Sequence, residues 1–202
     1  MDKRNVLNKA HLVEPIIRHT IQDSLFYKQH LYLTNELTIV PVVVNLVHYI
    51  GGTNSSGRPS PFLCCLLRML ELEPDQDIIS LYLRQNGYNE FKYLTALTLL
   101  YCRMVAAPKA VFTLFDEYIV DYRRLRFRLK LPQFVNDLPV HYIVIHMDEW
   151  IDSMVENERV VDLALPYLPP RQMLVQKGEV DPRQYAVSED EASLSDYESD
   201  SD

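Results

Sequence analysis

Between Gly51 and Pro61 the chain reads GGTNSSGRPSP, with the glycine spacing of a phosphate-binding loop. Such a loop, G-x-x-x-x-G-K-[ST], cradles phosphates with backbone N–H groups, sets a lysine on the terminal phosphates and a hydroxyl on magnesium. Gly52 and Gly57 have the spacing, but Arg58 stands in the lysine position and Pro59 in the hydroxyl position. Proline also removes a backbone donor. No apolar strand ending in a magnesium-binding aspartate follows. The residues favour a surface loop between helices over a nucleotide site.

His146, Asp148 and Glu149 form the next group of ligand-type residues. Asp148 and Glu149 are adjacent at the start of a helix, where neighbours do not face one another and acidic groups favour the dipole. His141 lies five residues from His146, which on a strand puts the two on opposite faces. There is no HExxH, no Cys/His zinc spacing and no G-x-S-x-G elbow. Cys64 and Cys65 are adjacent rather than spaced as CxxC, and Cys102 also sits in an apolar run. They read as core packing and as reduced thiols of an intracellular protein. No catalytic, cofactor-binding or metal-binding set emerges, so no enzyme, no cofactor and no small-molecule substrate is expected.

The elements that hold these residues read as mainly helical. Glu14 to Lys28 forms a helix with Pro15 in its first turn and Ile17, Ile21 and Leu25 on one stripe. Thr34 reads as an N-cap with Glu36 in the first turn. The stretch to Tyr49 is either a helix kinked at Pro41 or a short β-branched strand. Ser60-Pro61 starts a helix, Pro74-Asp75 separates it from the next, and Gly87 stops that one. Asn89 to Met104 is helical, and Pro108 opens a helix reaching Tyr122. From Arg124 the period becomes two: Arg124, Arg126, Arg128 and Lys130 lie on one strand face, Leu125, Phe127, Leu129 and Leu131 on the other. Pro132 to Pro139 reads as a loop and Val140 to Met147 as a partner strand. A last long helix covers Met147 to Leu165, with Trp150, Ile151, Met154 and Val155 facing inward. The expected fold is mainly α, a compact multi-helix domain over residues 1–170 with a small β-hairpin inserted before that helix. Residues 171–202 are expected to be a polar, acidic, serine-rich, disordered tail.

Composition agrees. Of 202 residues 48% are hydrophobic, enough for a core, and only five are glycine. Neither an apolar signal core near the N-terminus nor a run of ~18 apolar residues is present, so a soluble cytosolic or nuclear protein is expected, with no membrane partner. The net charge is −8, of which −7 lies between Ala186 and Asp202. The remainder is near neutral, which argues against a broad surface for non-specific nucleic-acid binding. Ser188, Ser193, Ser195 and Ser199 each have an acidic residue three positions on, the pattern of acidophilic kinase sites.

The basic strand face is the most distinctive surface. It could hold phosphates, an acidic protein segment or the chain's own tail, or simply block edge pairing. Tyr122, Arg123, Arg124, Arg126, Arg128, Lys130 and Trp150 are the candidate partner-binding residues, since aromatic and arginine side chains anchor interfaces. Weak direct RNA contact through Arg124, Arg126, Arg128 and Lys130 is the alternative.

Five stretches together resemble one family: LTNEL (Leu33 to Leu37), GG…PSPFLCCLLRMLELEPDQDII (Gly51 to Ile79), EFKYLTAL (Glu90 to Leu97), DYRRL (Asp121 to Leu125) and HMDEWIDSMVENERVVDLALP (His146 to Pro166). The chain is similar, from about Leu12 to Tyr167, to the pre-mRNA-splicing factor 38 family. The resemblance implies a non-catalytic nuclear scaffold of the spliceosome, joined with the tri-snRNP particle and needed for activation. It implies two protein partners, a small zinc-finger splicing factor and a microfibrillar-associated-protein-type factor that binds as a long helix. It also makes the glycine loop a fold element ahead of the PFLC helix. The chain departs from the family at Pro41 and VPVVV, in a longer Pro132 to Pro139 loop, and in a short acidic tail where many relatives have Arg/Ser-rich extensions.

Overall fold

Ser60 and Pro61 begin the helix around which the fold is built. In the computed structural model, which describes residue 4 and residues 6–87 and 90–183, the Ser60 hydroxyl accepts the Leu63 N–H at 3.1 Å and Pro61 takes the first helical position. A 3-10 turn (Lys9–Leu12) comes first, then α1 (Pro15–Asp23), a π-helical turn (Tyr27–Leu31), α2 (Ile39–Leu46), α3 (Pro61–Leu72) and α4 (Gln76–Arg84). After these come α5 (Lys92–Val105), α6 (Pro108–Tyr118), β1 (Arg124–Val135), β2 (Leu138–His146) and α7 (Met147–Glu156). Two short strands, β3 (Arg159–Val160) and β4 (Leu163–Ala164), and a final helix α8 (Arg171–Gln176) complete the order. The mainly helical class with one larger hairpin is as expected.

Helices α3 and α5 are apolar on nearly every side and are buried almost throughout, as interior helices must be. α1 and α2 pack on α3, and α2, α4, α6 and α7 pack on α5. Trp150 on α7 joins the layers. Its ring meets Phe62 edge-on at 6.1 Å and Phe127 at 6.5 Å, and its Nε1–H donates to the Ala96 carbonyl at 3.2 Å. Arg103 is buried in α5 and donates to the Met154 and Pro166 carbonyls at 2.9 and 2.8 Å. It thereby satisfies one carbonyl at the end of α7 that has no helical partner.

Several local expectations are corrected. The helix expected from Glu14 to Lys28 breaks at Ser24, whose hydroxyl donates to the Ile21 carbonyl and accepts the Tyr27 N–H. Leu25, placed on the apolar stripe, is therefore exposed. Thr34 is not an N-cap: its hydroxyl donates back to Leu31, and Asn35 instead accepts the Leu37 and Thr38 N–H groups. The following stretch is helix α2, not a strand. Pro41 falls in its first turn, where no N–H is needed. The Pro132 to Pro139 loop is absent. Both strands run on to a two-residue turn, Asn136-Asp137, with φ of 49° and 62°, the left-handed pair that tight hairpins use. A slip in register between Arg128 and Gln133 accommodates Pro132. The last long helix ends at Glu156. Beyond it β3 and β4 form a second small hairpin that turns at Val161-Asp162, with φ of 44° and 68°.

Residues from Pro170 form a separate unit. Here α8 closes with the Gly178 N–H on Val175 and the Glu179 N–H on Leu174, Gly178 taking a φ of +67°, a Schellman stop. Part of the segment expected to be disordered is thus helical. Ser188, Ser193, Ser195 and Ser199 lie outside the described residues.

The glycine loop has a structural task. The Asp162 carboxylate accepts the Thr53 N–H at 2.7 Å, the Thr53 hydroxyl at 2.8 Å and Lys130 Nζ at 3.0 Å. One side chain thus joins the loop, β1 and the β3–β4 turn. Burial alone would raise its pKa, but the Thr53 and Lys130 donors outweigh it and hold the carboxyl below its usual value. Gly52 lies against this turn, where a Cβ would sit 2.6 Å from the Val161 carbonyl oxygen. Gly57, at φ +74°, has open space around it.

Two predictions follow from this junction. Gly52→Ala forces the backbone of the turn to move and is expected to cost about 1–3 kcal/mol, while Gly57→Ala costs only about 1–2 kcal/mol from its left-handed conformation. Chemical denaturation should rank Gly52→Ala at least level with Gly57→Ala, and a milder effect at Gly52 would contradict the close approach. Asp162→Asn is expected to destabilise the protein at neutral pH. Because the folded pKa is depressed, wild-type Asp162 contributes its stability above the unfolded value of about 3.9 and loses it as pH falls through the folded value. The stability gap to the variant should therefore narrow from about pH 5 downward, and a constant gap would rule the linkage out.

Candidate partner-docking site

The residues singled out on the basic strand split into two groups once their neighbours are seen. Arg123 pairs with Asp121 at 2.6 Å and donates to the Thr95 hydroxyl at 3.2 Å, so it fixes the entry to β1. Arg128 donates to the Tyr49 hydroxyl at 3.1 Å and stands 5.6 Å over that ring, a cation–π arrangement. Lys130 belongs to the Asp162 junction. Arg124 and Arg126 are exposed, and among the described residues their guanidinium groups make no hydrogen bond or ion pair. Tyr122 is exposed beside them. Trp150 is 1% exposed; its reading as an inward-facing residue of α7 holds, and it is not available as a partner anchor, because the α7 face that carries it is the one covering α5.

The register of the hairpin supplies residues that sequence reasoning passed over. Arg126 stands opposite Val144, and Arg128 opposite Tyr142. Tyr142 meets Tyr49 edge-on at 5.4 Å. One face therefore carries Arg124, Arg126, Arg128, Tyr49, Tyr142 and Val144. The alternation of VHYIVIH was visible, but its register against β1 was not. Within and beyond the register slip the hairpin exposes Leu131, Phe134, Val135 and Leu138 at 54–71%, an apolar tip that a monomer does not normally leave in water. In the LTNEL stretch Leu33 and Leu37 are 89% and 79% exposed, a second apolar surface.

The ligand-type residues singled out in the sequence are not brought together into one site among the described residues. His146 and Glu149 meet, but as a helix start: the Glu149 carboxylate accepts the His146 backbone N–H at 2.6 Å. Among the described residues no group of three His, Cys, Asp or Glu is placed to hold a metal. Cys64, Cys65 and Cys102 are buried, and burial pushes the Cys64 and Cys102 thiols up to about 12 and Cys65 well above its ordinary value, so none is a ready nucleophile. A cleft of about 960 Å³ is lined in part by Arg4, Arg103, Arg159, Glu156 and Glu158. Burial, with Arg4 nearby, lowers Arg103 to about 10. Its Nε and Nη1 are held by carbonyls.

Comparison with known proteins fits this picture. Residues 2–178 match the model of the PRP38 family. Over 184 residues the chain is 30% identical to pre-mRNA-splicing factor 38 of Drosophila melanogaster, covering 91% of this chain and 52% of that protein. It is 32% identical to pre-mRNA-splicing factor 38A of Xenopus tropicalis over 185 residues, covering 91% and 55%. The chain spans about half the length of these relatives. The fold superposes with a TM-score of 0.83 and 33% identity on a chain of the crystal structure of the Snu23-Prp38-MFAP1(217-258) complex of Chaetomium thermophilum, covering 96% of both chains. A helical core with a glycine loop pinned to a terminal hairpin, matched over nearly its whole length, places this chain in the PRP38 family.

Proposed function

We propose that this protein is a non-catalytic scaffold of the spliceosome, acting in the nucleus with the tri-snRNP and needed for activation because it docks other splicing proteins. The observation that carries the reading is the near-complete structural match to a chain of the Snu23-Prp38-MFAP1 complex. The exposed Tyr122, Arg124 and Arg126, the apolar hairpin tip and the exposed Leu33 and Leu37 support it as surfaces for protein partners. The buried thiols and the absence of a metal cluster among the described residues leave docking as the reading with most support. Proteins of the Snu23 and MFAP1 types are the proposed partners. The helical domain over 1–170 is the docking body, and the acidic segment over 171–202 carries Ser188, Ser193, Ser195 and Ser199 as proposed phosphorylation sites.

Purification of the tagged protein from native nuclear extract, with and without RNase, tests this. Spliceosomal proteins are expected in both, and purified Snu23- and MFAP1-type partners should bind the isolated chain. Loss of all of them from soluble, folded protein would refute the scaffold role.

Direct RNA contact is the second reading, favoured only by the exposed Arg124 and Arg126. Two phosphate contacts on a single strand give a log K against log salt slope of about −1.4. Titration of the full chain with single-stranded RNA at several salt concentrations is expected to show weak binding with that shallow slope, abolished by Arg124→Ala with Arg126→Ala. A much steeper slope would reveal a larger basic surface than these two residues supply.

A further inference from the structure

The outer edge of β2 is open, and the parity of the ladder shows which groups it presents. On β1 the Ile50 N–H donates to the Arg126 carbonyl and the Arg128 N–H donates to the Ile50 carbonyl, both at 2.8 Å. The main-chain groups of Arg126 and Arg128 therefore point away from β2. Opposed residues in an antiparallel pair either exchange both hydrogen bonds or neither, so Val144 and Tyr142, opposite them, also turn their N–H and C=O groups outward. His146 has the same parity, and its outward N–H is already taken by Glu149 at 2.6 Å. Among the described residues nothing takes the outward groups of Tyr142 or Val144, and β2 has β1 as its one neighbour in the sheet.

Natural edges are guarded by charged side chains, bulges or a covering element. β2 has no Lys, Arg, Asp or Glu, its one proline, Pro139, lies at the tip opposite Phe134, and the register slip affects the β1 side near Arg128 to Gln133. Val144 is 62% exposed, Tyr142 43% and Ile143 37%. From Tyr142 to Val144 this edge is accessible and unguarded.

The charge beside it selects an occupant. Arg124, Arg126 and Arg128 share the face of Tyr142 and Val144, and neither strand carries an acidic residue. Ile143 lies on the other face with Phe127, its partner across the ladder, and Ile145. We propose that β2 receives an extended segment of a protein partner as a third strand, with acidic residues opposite Tyr142 and Val144 and an apolar one opposite Ile143. A second copy of the chain fits worse, because pairing β2 with β2 about a two-fold axis brings both arginine rows onto one face. The inference rests on the scaffold reading and adds the chemistry of one partner segment.

The test uses the full chain and two synthetic heptapeptides, one alternating Glu with Val and one alternating Lys with Val. The Glu/Val peptide is expected to slow amide exchange at Tyr142 and Val144, and the Lys/Val peptide to leave it unchanged. Val144→Pro removes an outward N–H and none within the hairpin, and should weaken the Glu/Val peptide about tenfold. Val144→Glu, which sets like charges opposite one another, should weaken it too, and Arg126→Ala with Arg128→Ala should flatten its salt dependence. Unchanged exchange at high peptide, equal binding of both peptides, or protection that rises with protein concentration alone would each overturn the proposal. If the peptides fail while Snu23- and MFAP1-type proteins still bind, this inference falls alone; if those fail as well, the scaffold reading falls with it.

Discussion

The Asp162 carboxylate is the point on which the arrangement of this surface depends. Its partner Thr53 is 109 residues away in the chain, and Lys130 reaches it from the register slip of β1. The turn that presents it holds Val161 at a φ of 44°, a conformation that a β-branched residue adopts only when its surroundings compel it. The Gly52 backbone packed against that turn, and the three donors to Asp162, are those surroundings. In this way a loop with nucleotide-loop spacing becomes a brace between the hairpin and the end of the fold.

The same constraint explains why the hairpin is anchored at one end and open at the other. Near its base, Leu125 is buried, Phe127 packs on Trp150, and Ile50 adds backbone bonds to Arg126 and Arg128. Beyond the slip in register those supports stop, and large apolar side chains face water. An isolated two-stranded ribbon is marginal in water. Its persistence here draws on the base, and its tip is the part exposed to water.

What could be read in the sequence was local. Pro15, Ser60-Pro61 and Pro108 mark helix starts through fixed geometry and a capping hydroxyl, and all three mark real helices. The arginine alternation identified β1 for the same reason. The two missed hairpin turns share one physical character. Val161-Asp162 and Asn136-Asp137 turn with positive φ but lack the glycine that would announce it. The first lies in an apolar run that reads as helix, and the second between prolines that read as a loop. Each is held by pairing or contacts distant in sequence, which a local pattern does not contain. The helical pattern put Trp150 on the inward face, as it is, yet it also stood among the candidate anchors, because a large aromatic serves a core and an interface equally well and only the packing of α7 on α5 decides.

The division of the basic row settles how its charge can act. If all four basic side chains faced water, the strand would be a phosphate-binding surface, and its field would extend over a Debye length of about 8–10 Å at moderate salt. Instead Lys130 is paired with a carboxylate and Arg128 is laid over Tyr49. The two remaining arginines, set in a strip of Tyr142 and Val144, make a surface of mixed character. Few phosphates would be neutralised there, so low affinity for nucleic acid is expected. A protein segment that brings both an acid and apolar area matches more of the strip. The chemistry that fixes the hairpin to the fold therefore also supports the proposed reading of its free face as a surface for protein.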